Sequence, residues 1–384
     1  MPGHSDSMAL RLIPIWAVMA VVLASGAAHA QPYEELRETC DNPRSAADDK
    51  IAACESLIAI HRDEPEQLAI AYYKRGNAYW NKRQYKVAIQ DYDKALELKP
   101  DYLLALNNRG LVYQDMGLVS RAIEDLSEAI RLCPDFALAL SNRGKAYNSK
   151  GQYELAIRDF DQVVKLYPDD PWAYYQRGNA YHTQGKHDRA VKDMSEAIRL
   201  APDFAWAYDR RGIAYKNLEQ YDRAIEDHSK AIELNPNDAD FWYNRGRARY
   251  FKNQFDLAIR DFNEAIRLRP TAAALLSRGR CHYAVTRFAE AIDDYDAALR
   301  LQPDFDLAYF NRATALVRLG KYETAIVDYD AALKITPVSA ISLFGRGVAK
   351  RRHGDVVAGD ADIAAARALE ADIATEMATL KITP

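Results

Sequence analysis

The sequence predicts an all-α solenoid of stacked helical hairpins, and three observations carry that prediction. An arginine–glycine pair returns every thirty-four residues: Arg75-Gly76, Arg109-Gly110, Arg143-Gly144, Arg177-Gly178, Arg211-Gly212 and Arg245-Gly246. Arg278-Gly279 then comes one residue early, and Arg312-Ala313 and Arg346-Gly347 resume the step. Prolines close the periods in register, from Pro100 and Pro134 through Pro168, Pro202, Pro236, Pro270 and Pro303 to Pro337. Within each period, two apolar runs at helical spacing flank a polar break. A period of about 20–50 residues marks supersecondary units that bury their apolar stripes only by stacking. The repeat therefore replaces the two or three globular domains that 384 residues would otherwise suggest.

The first thirty residues stand apart. Arg11 precedes an apolar stretch from Leu12 to Leu23, and small residues lead to Ala28-His29-Ala30. That is the order of a secretory signal peptide cut after Ala30. A membrane anchor is the competing reading, but the stretch is shorter than the ~20 residues that span a bilayer. Segment 1–30 is expected to be removed, leaving an exported protein, periplasmic or secreted. Residues 31–68 read as an irregular capping hairpin, with Ile51, Cys54, Leu57, Ile58 and Ile60 on its second helix. Cys40 and Cys54 are candidates for a disulfide there, which an oxidising compartment allows. Cys133 and Cys281 lie too many repeats apart to pair, and Cys281 fills a slot that Ala78, Ala146, Ala180 and Ala214 hold elsewhere.

Nine units then run over 69–373. In the first, Tyr72, Gly76 and Tyr79 share one face of a first helix, and Ala88, Ile89, Tyr92, Ala95, Leu96 and Leu98 form the apolar face of a second. Pro100 ends that helix, and Asp101 is expected to N-cap the next, as are Asp135, Asp169, Asp203 and Asp304. Glycine inside a helix costs about 0.5–1 kcal/mol against alanine. Its return in eight of nine units implies a close helix crossing. The ninth unit has Lys350 for the tyrosine, Gly359 for an alanine and no closing proline, which suits a capping unit. Glu370 to Leu380 reads as a covering helix, so that 374–384 is its end and a tail.

Aspartate is as regular as arginine: Asp91, Asp125, Asp159, Asp193, Asp227, Asp261, Asp294, Asp328 and Asp362. Pairs such as Arg109–Asp125, Arg143–Asp159 and Arg177–Asp193 are expected to form a ladder bridging the two helices of every unit. A cationic track for an acidic ligand is the other reading of these arginines. Recurrence in every unit favours fold maintenance.

The motif resembles the tetratricopeptide repeat. The third unit carries it as Leu140, Gly144, Tyr147, Ala156, Phe160, Val163 and Pro168, and the fourth as Tyr174, Gly178, Tyr181, Ala190, Met194, Ala197 and Pro202. One departure is systematic, arginine before the glycine where the family usually has leucine. The resemblance implies a right-handed superhelix whose first helices line a concave groove. Two residues before the glycines stand Asn108, Asn142, Gln176, Arg210, Asn244 and Asn311. This amide series is similar to the asparagine ladder of O-linked N-acetylglucosamine transferase repeats, which grips a peptide backbone. A tolerated polar groove residue is the plainer alternative. By the same frame Tyr73, Trp172, Tyr175, Trp206, Tyr243, Phe310 and Phe344 face the groove, with Trp172, Tyr175, Trp206 and Arg210 as the best patch. Trp242 reads as a packing residue. The family's clamp for acidic chaperone tails is not carried over. Asn77 and Asn108 fit it, but Tyr73, Leu138 and Asn142 stand where basic residues belong.

Enzymatic signatures are missing. There is no phosphate-cradling loop, no zinc-protease helix and no serine elbow. His182 and His187 flank an inter-helix turn and read as surface residues, and His228 fills a core aromatic slot. No metal or cofactor is expected. The net charge of −4 and the lack of a basic run argue against nucleic acid. The expected role is a non-catalytic scaffold binding an extended peptide or partner protein. A self-associating subunit of an envelope assembly is the alternative.

Overall fold

The computed structural model describes residues 33–384, so the signal-peptide expectation for 1–30 lies outside the described residues. The described residues divide into two compact units, 33–168 and Asp169–Pro384. In the first, α1 (33–41) and α2 (Ala47–Ile60) form the leading hairpin. Three repeat hairpins follow: α3 (Pro65–Asn81) with α4 (Tyr85–Leu98), α5 (Leu103–Asp115) with α6 (Val119–Leu132), and α7 (Ala137–Ser149) with α8 (Tyr153–Leu166). The second unit holds six more. They are α9 (Pro171–Thr183) with α10 (His187–Leu200), α11 (Ala205–Asn217) with α12 (Tyr221–Leu234), and α13 (Ala239–Phe251) with α14 (Phe255–Leu268). Next come α15 (Ala272–Ala284) with α16 (Phe288–Leu301), α17 (Asp306–Arg318) with α18 (Tyr322–Ile335), and α19 (Ala340–His353) with α20 (Val356–Leu369). Helix α21 (Ile373–Thr379) covers the end. All described residues outside turns and termini are helical, and within each unit every hairpin packs on the next.

The glycines mark where paired helices cross. A Cβ on Gly76 would lie 2.9 Å from the Tyr92 ring, on Gly144 2.8 Å from Phe160, and on Gly246 2.8 Å from Phe262. Each bulky residue is buried sixteen positions after its glycine. The eighth hairpin breaks the rule with Ala313, and its Tyr329 lies instead against Gly345 of the next first helix, where a Cβ would come within 2.5 Å. Glycine has moved with the ring.

The turn inside each hairpin needs a left-handed residue seven positions after the glycine. Gly117, Gly151, Gly185, Gly320 and Gly354 supply it without strain. Arg83, Glu219, Asn253 and Thr286 adopt the same conformation, with φ of 58–62°. Thr286 is β-branched and the most strained of them.

Two boundaries differ from the sequence expectation. Helix α3 begins at Pro65, so the first unit starts four residues before Ala69 and takes in the end of the 31–68 segment. The aspartates after the prolines do not cap helices. Asp101, Asp135 and Asp203 occupy the third position of β-turns closed by Tyr102 N–H to Lys99 C=O, Phe136 N–H to Cys133 C=O and Phe204 N–H to Ala201 C=O. Helices α5, α7, α11 and α17 start after an aromatic residue with no side-chain cap, which also displaces Asp304; at α9, Asp170 rather than Asp169 receives the Trp172 N–H. Proline fixes the turn, and the turn takes the aspartate before the helix begins.

Cys40 and Cys54 are disulfide-bonded, joining α1 to α2 with Cα atoms 5.3 Å apart. Cys54 and Leu57 are buried beneath it, whereas Ile60, expected on the same apolar face, is exposed. Cys281 is fully buried, and Cys133 is partly exposed.

Candidate functional site

The regular arginines are committed to the fold. In each of the nine hairpins the arginine of the first helix donates two hydrogen bonds to the aspartate of the second, from Arg75–Asp91 through Arg143–Asp159 (2.8 and 2.7 Å) to Arg346–Asp362. Asp159, Asp193, Asp227 and Asp261 are buried, so these are charge-assisted bidentate pairs with little water access. A further guanidinium N–H reaches back to the preceding hairpin. Arg109 meets Asp93, Arg143 meets Ser127, Arg211 meets Ser195, Arg245 meets Ser229, Arg312 meets Asp296 and Arg346 meets Asp330. Each of these six arginines thus ties three helices. This third partner is legible as a polar residue two positions after every ladder aspartate except Asp362, where Ala364 stands.

Charge balance varies along the ladder. Burial raises the Asp125 carboxyl above its ordinary range despite the Arg109 guanidinium. At Asp362 burial pushes the same way, but Arg346 and Lys350 together outweigh it and hold the carboxyl down.

The amide series engages itself. Asn108 donates to the Tyr73 hydroxyl (3.1 Å) and to Asn77 (2.9 Å), while Asn107 donates to Asn108 and Asn142 donates to Asn107 (2.9 Å). In the second unit Asn244 donates to buried Asp209, which also bonds His228, and Asn311 donates to the Leu307 carbonyl. Asn142 and Gln176 are buried, and Gln176 Oε1 lacks a partner. Asn108, Asn142 and Asn244 therefore join neighbouring first helices, whereas Asn311 bonds within α17.

The aromatic residues separate into two groups. Trp172 is 46% exposed, stacked on Tyr175 (4.9 Å between centroids) and on Phe204 (5.6 Å). Trp206 is 37% exposed and meets Phe241 edge-on at 5.0 Å. Tyr243 is half-buried against Phe262, and Tyr73 against Tyr102. Phe310 and Phe344, expected in the groove, are buried instead, because Ile373, Met377 and Ile382 of the C-terminal segment pack into the same core. Trp242 donates to the Pro236 carbonyl and carries Arg245 over its ring.

His182 and His187 lie 5.0 Å apart, ring to ring. Burial, then His187, Arg210 and Lys216, hold His182 down at about 4, so it is neutral at physiological pH. His228 is fully buried in the slot opposite Gly212. Among the described residues no group of three or more His, Cys, Asp or Glu is placed to hold a metal ion, and no helix is long and apolar enough to cross a membrane.

Hairpins of near-constant length, with glycine at eight of nine crossings and binding-type side chains on the first helices, define a helical-repeat protein. Profiles described as "TPR repeat" match residues 83–117 and 144–185, and profiles described as "Tetratricopeptide repeat" match 103–136, 171–204, 205–238, 244–304 and 294–327. With these matches spanning more than half of its length, the chain belongs to the tetratricopeptide repeat family. Among solved structures it is similar to a tetratricopeptide repeat protein from Parabacteroides merdae (23% identity, TM-score 0.50), covering 62% of this chain and 94% of that one. It is also similar to a chain of the APC/C hetero-tetramer Cut9-Hcn1 (19% identity, TM-score 0.52), covering 82% of this chain and 62% of that one. A MamA protein structure matches at 29% identity with a TM-score of 0.40, over 45% of this chain and 94% of its own. Comparison with curated proteins gave no match. Repeats of this family are typically protein–protein interaction scaffolds and generally non-catalytic.

Proposed function

We propose that this protein is an exported, non-catalytic scaffold that holds an extended peptide or partner-protein segment against its first helices. The observation that carries this reading is the pair of half-exposed indoles, Trp172 stacked on buried Tyr175 and Trp206 held edge-on against buried Phe241. Rigid aromatics with a polar edge supply contact area at little entropic cost, which makes them common binding anchors. Export is supported by the order of residues 11–30 and by the Cys40–Cys54 bond, which an oxidising compartment sustains. Partner capture on wild type and on a Trp172→Ala/Trp206→Ala double variant tests the reading. Loss of specific partners from the variant is the expected result, and an identical partner set would remove this surface from consideration.

A further inference from the structure

Beyond the ladder, the unit Asp169–Pro384 carries a second set of cations on its first helices: Arg210 and Lys216 on α11, Arg247 on α13, Arg280 on α15 and Arg318 on α17. None of the five has a carboxylate partner among the described residues, although every ladder arginine of this unit has one. Arg210 keeps a buried Nε with no hydrogen-bond acceptor. The others lie over aromatic faces: Lys216 over Phe251, Arg247 over Tyr243 at 5.7 Å, Arg280 over Tyr250 at 5.0 Å and Arg318 over Phe288 at 4.9 Å. Such stacking fixes a guanidinium in place without neutralising it.

These groups are neighbours. Arg247 and Arg280 line one small cavity with Tyr250 and Ser277. Arg280 and Arg318 line the adjoining one, of about 730 Å³, with Leu276, Phe310 and Ile341. The C-terminal segment forms a wall of the larger cavity, where the Tyr283 hydroxyl donates to the Leu380 carbonyl at 2.5 Å. Glu376 on α21 lines that wall but makes no ion pair with either arginine. Burial and then Arg247 lower the Lys216 ammonium, and Arg210 and Lys216 both act on His182, so the cations feel one another. Gathered like charges on a chain of net charge −4 raise a local positive potential that an anion relieves.

Resting on the scaffold reading above, we propose that this face binds an extended acidic peptide segment. Its carboxylates meet Arg210, Arg247, Arg280 and Arg318, and one bulky apolar side chain enters the cavity among α13, α15, α17 and α21. A single-stranded nucleic acid fits less well. Base binding needs open aromatic faces, and here guanidinium and ammonium groups already lie over Tyr243, Tyr250, Phe251 and Phe288. Leu276, Phe310 and Ile341 give the cavity an apolar lining suited to a side chain rather than to sugar and phosphate.

The test is fluorescence anisotropy with the full chain and a labelled oligoglutamate peptide containing one central phenylalanine. Binding that weakens with salt is expected, with a loss of about tenfold or more in Arg247→Glu/Arg280→Glu. A loss of about tenfold or more is likewise expected when glycine replaces the phenylalanine, since no apolar side chain is then buried in the cavity. Lys230→Glu, on the second helix α12, should bind as wild type, and circular dichroism checks that each variant is folded. Absence of peptide binding, indifference to the double reversal, or tighter binding of an oligouridylate of equal length would overturn the proposal. A partner captured through Trp172 and Trp206 that ignores Arg247→Glu/Arg280→Glu would remove this inference and leave the scaffold reading standing.

Discussion

At Arg143 one guanidinium serves its own hairpin through Asp159 and the preceding hairpin through Ser127. Removing one partner of such a pair strands a buried charge, so Arg143→Leu or Asp159→Ala should each cost about 3–5 kcal/mol. Arg143→Leu/Asp159→Leu should cost less than the sum of the single changes. Urea denaturation of the three variants checks this, and near-additive losses would mean that the two groups do not interact. Ala313 and Gly345 give a second coupled pair, since Gly345 lies against the Tyr329 ring and Ala313 shares its core cluster. Gly345→Ala alone should cost about 1–3 kcal/mol by overpacking. Ala313→Gly/Gly345→Ala should recover part of that loss, because the ring regains the space that other hairpins provide. Equal melting of the single and double variants would show the ring is not shared between the two positions.

Elements were legible to the extent that they repeat. The arginine, glycine and aspartate positions declare two helices per period because the same short-range packing problem is solved in every hairpin. The caps were misread because the Pro-Asp step looks alike whether aspartate caps a helix or fills a β-turn, and only the Tyr102 N–H to Lys99 C=O bond distinguishes them. Phe310 and Phe344 were misread because the residues that bury them, Ile373, Met377 and Ile382, come from outside the repeat. Periodicity says nothing about a segment that folds back. The turn between α9 and α10 gives a pH-dependent prediction. His182, held at about 4 by burial and then by its cationic neighbours, is neutral in the fold and takes up a proton more readily once unfolded. Its contribution is therefore complete above about pH 6.5, the ordinary histidine value, and is lost as pH falls toward 4. Urea midpoints at pH 7, 5.5 and 4 should fall less steeply in His182→Gln than in wild type. Matching slopes would contradict this account of the histidine.

Across the whole molecule the two compact units present different chemistry on their first helices. Residues 33–168 offer amides bonded to one another, Asn77, Asn107, Asn108 and Asn142, whereas Asp169–Pro384 offers cations without counter-ions. Composition could not reveal this, because Arg247, Arg280 and Arg318 look like any surface arginine until the ladder arginines are accounted for one by one. The arginines thus divide into those that hold hairpins together and those left for a ligand. Labelling with an arginine-specific dicarbonyl, read by mass spectrometry with and without the acidic peptide, measures that division directly. It should modify Arg247, Arg280 and Arg318 in the free protein, spare Arg143, Arg211 and Arg245, and lose the first three when peptide is bound. Modification of the ladder arginines at equal rates, or no protection of Arg247, Arg280 and Arg318, would contradict it.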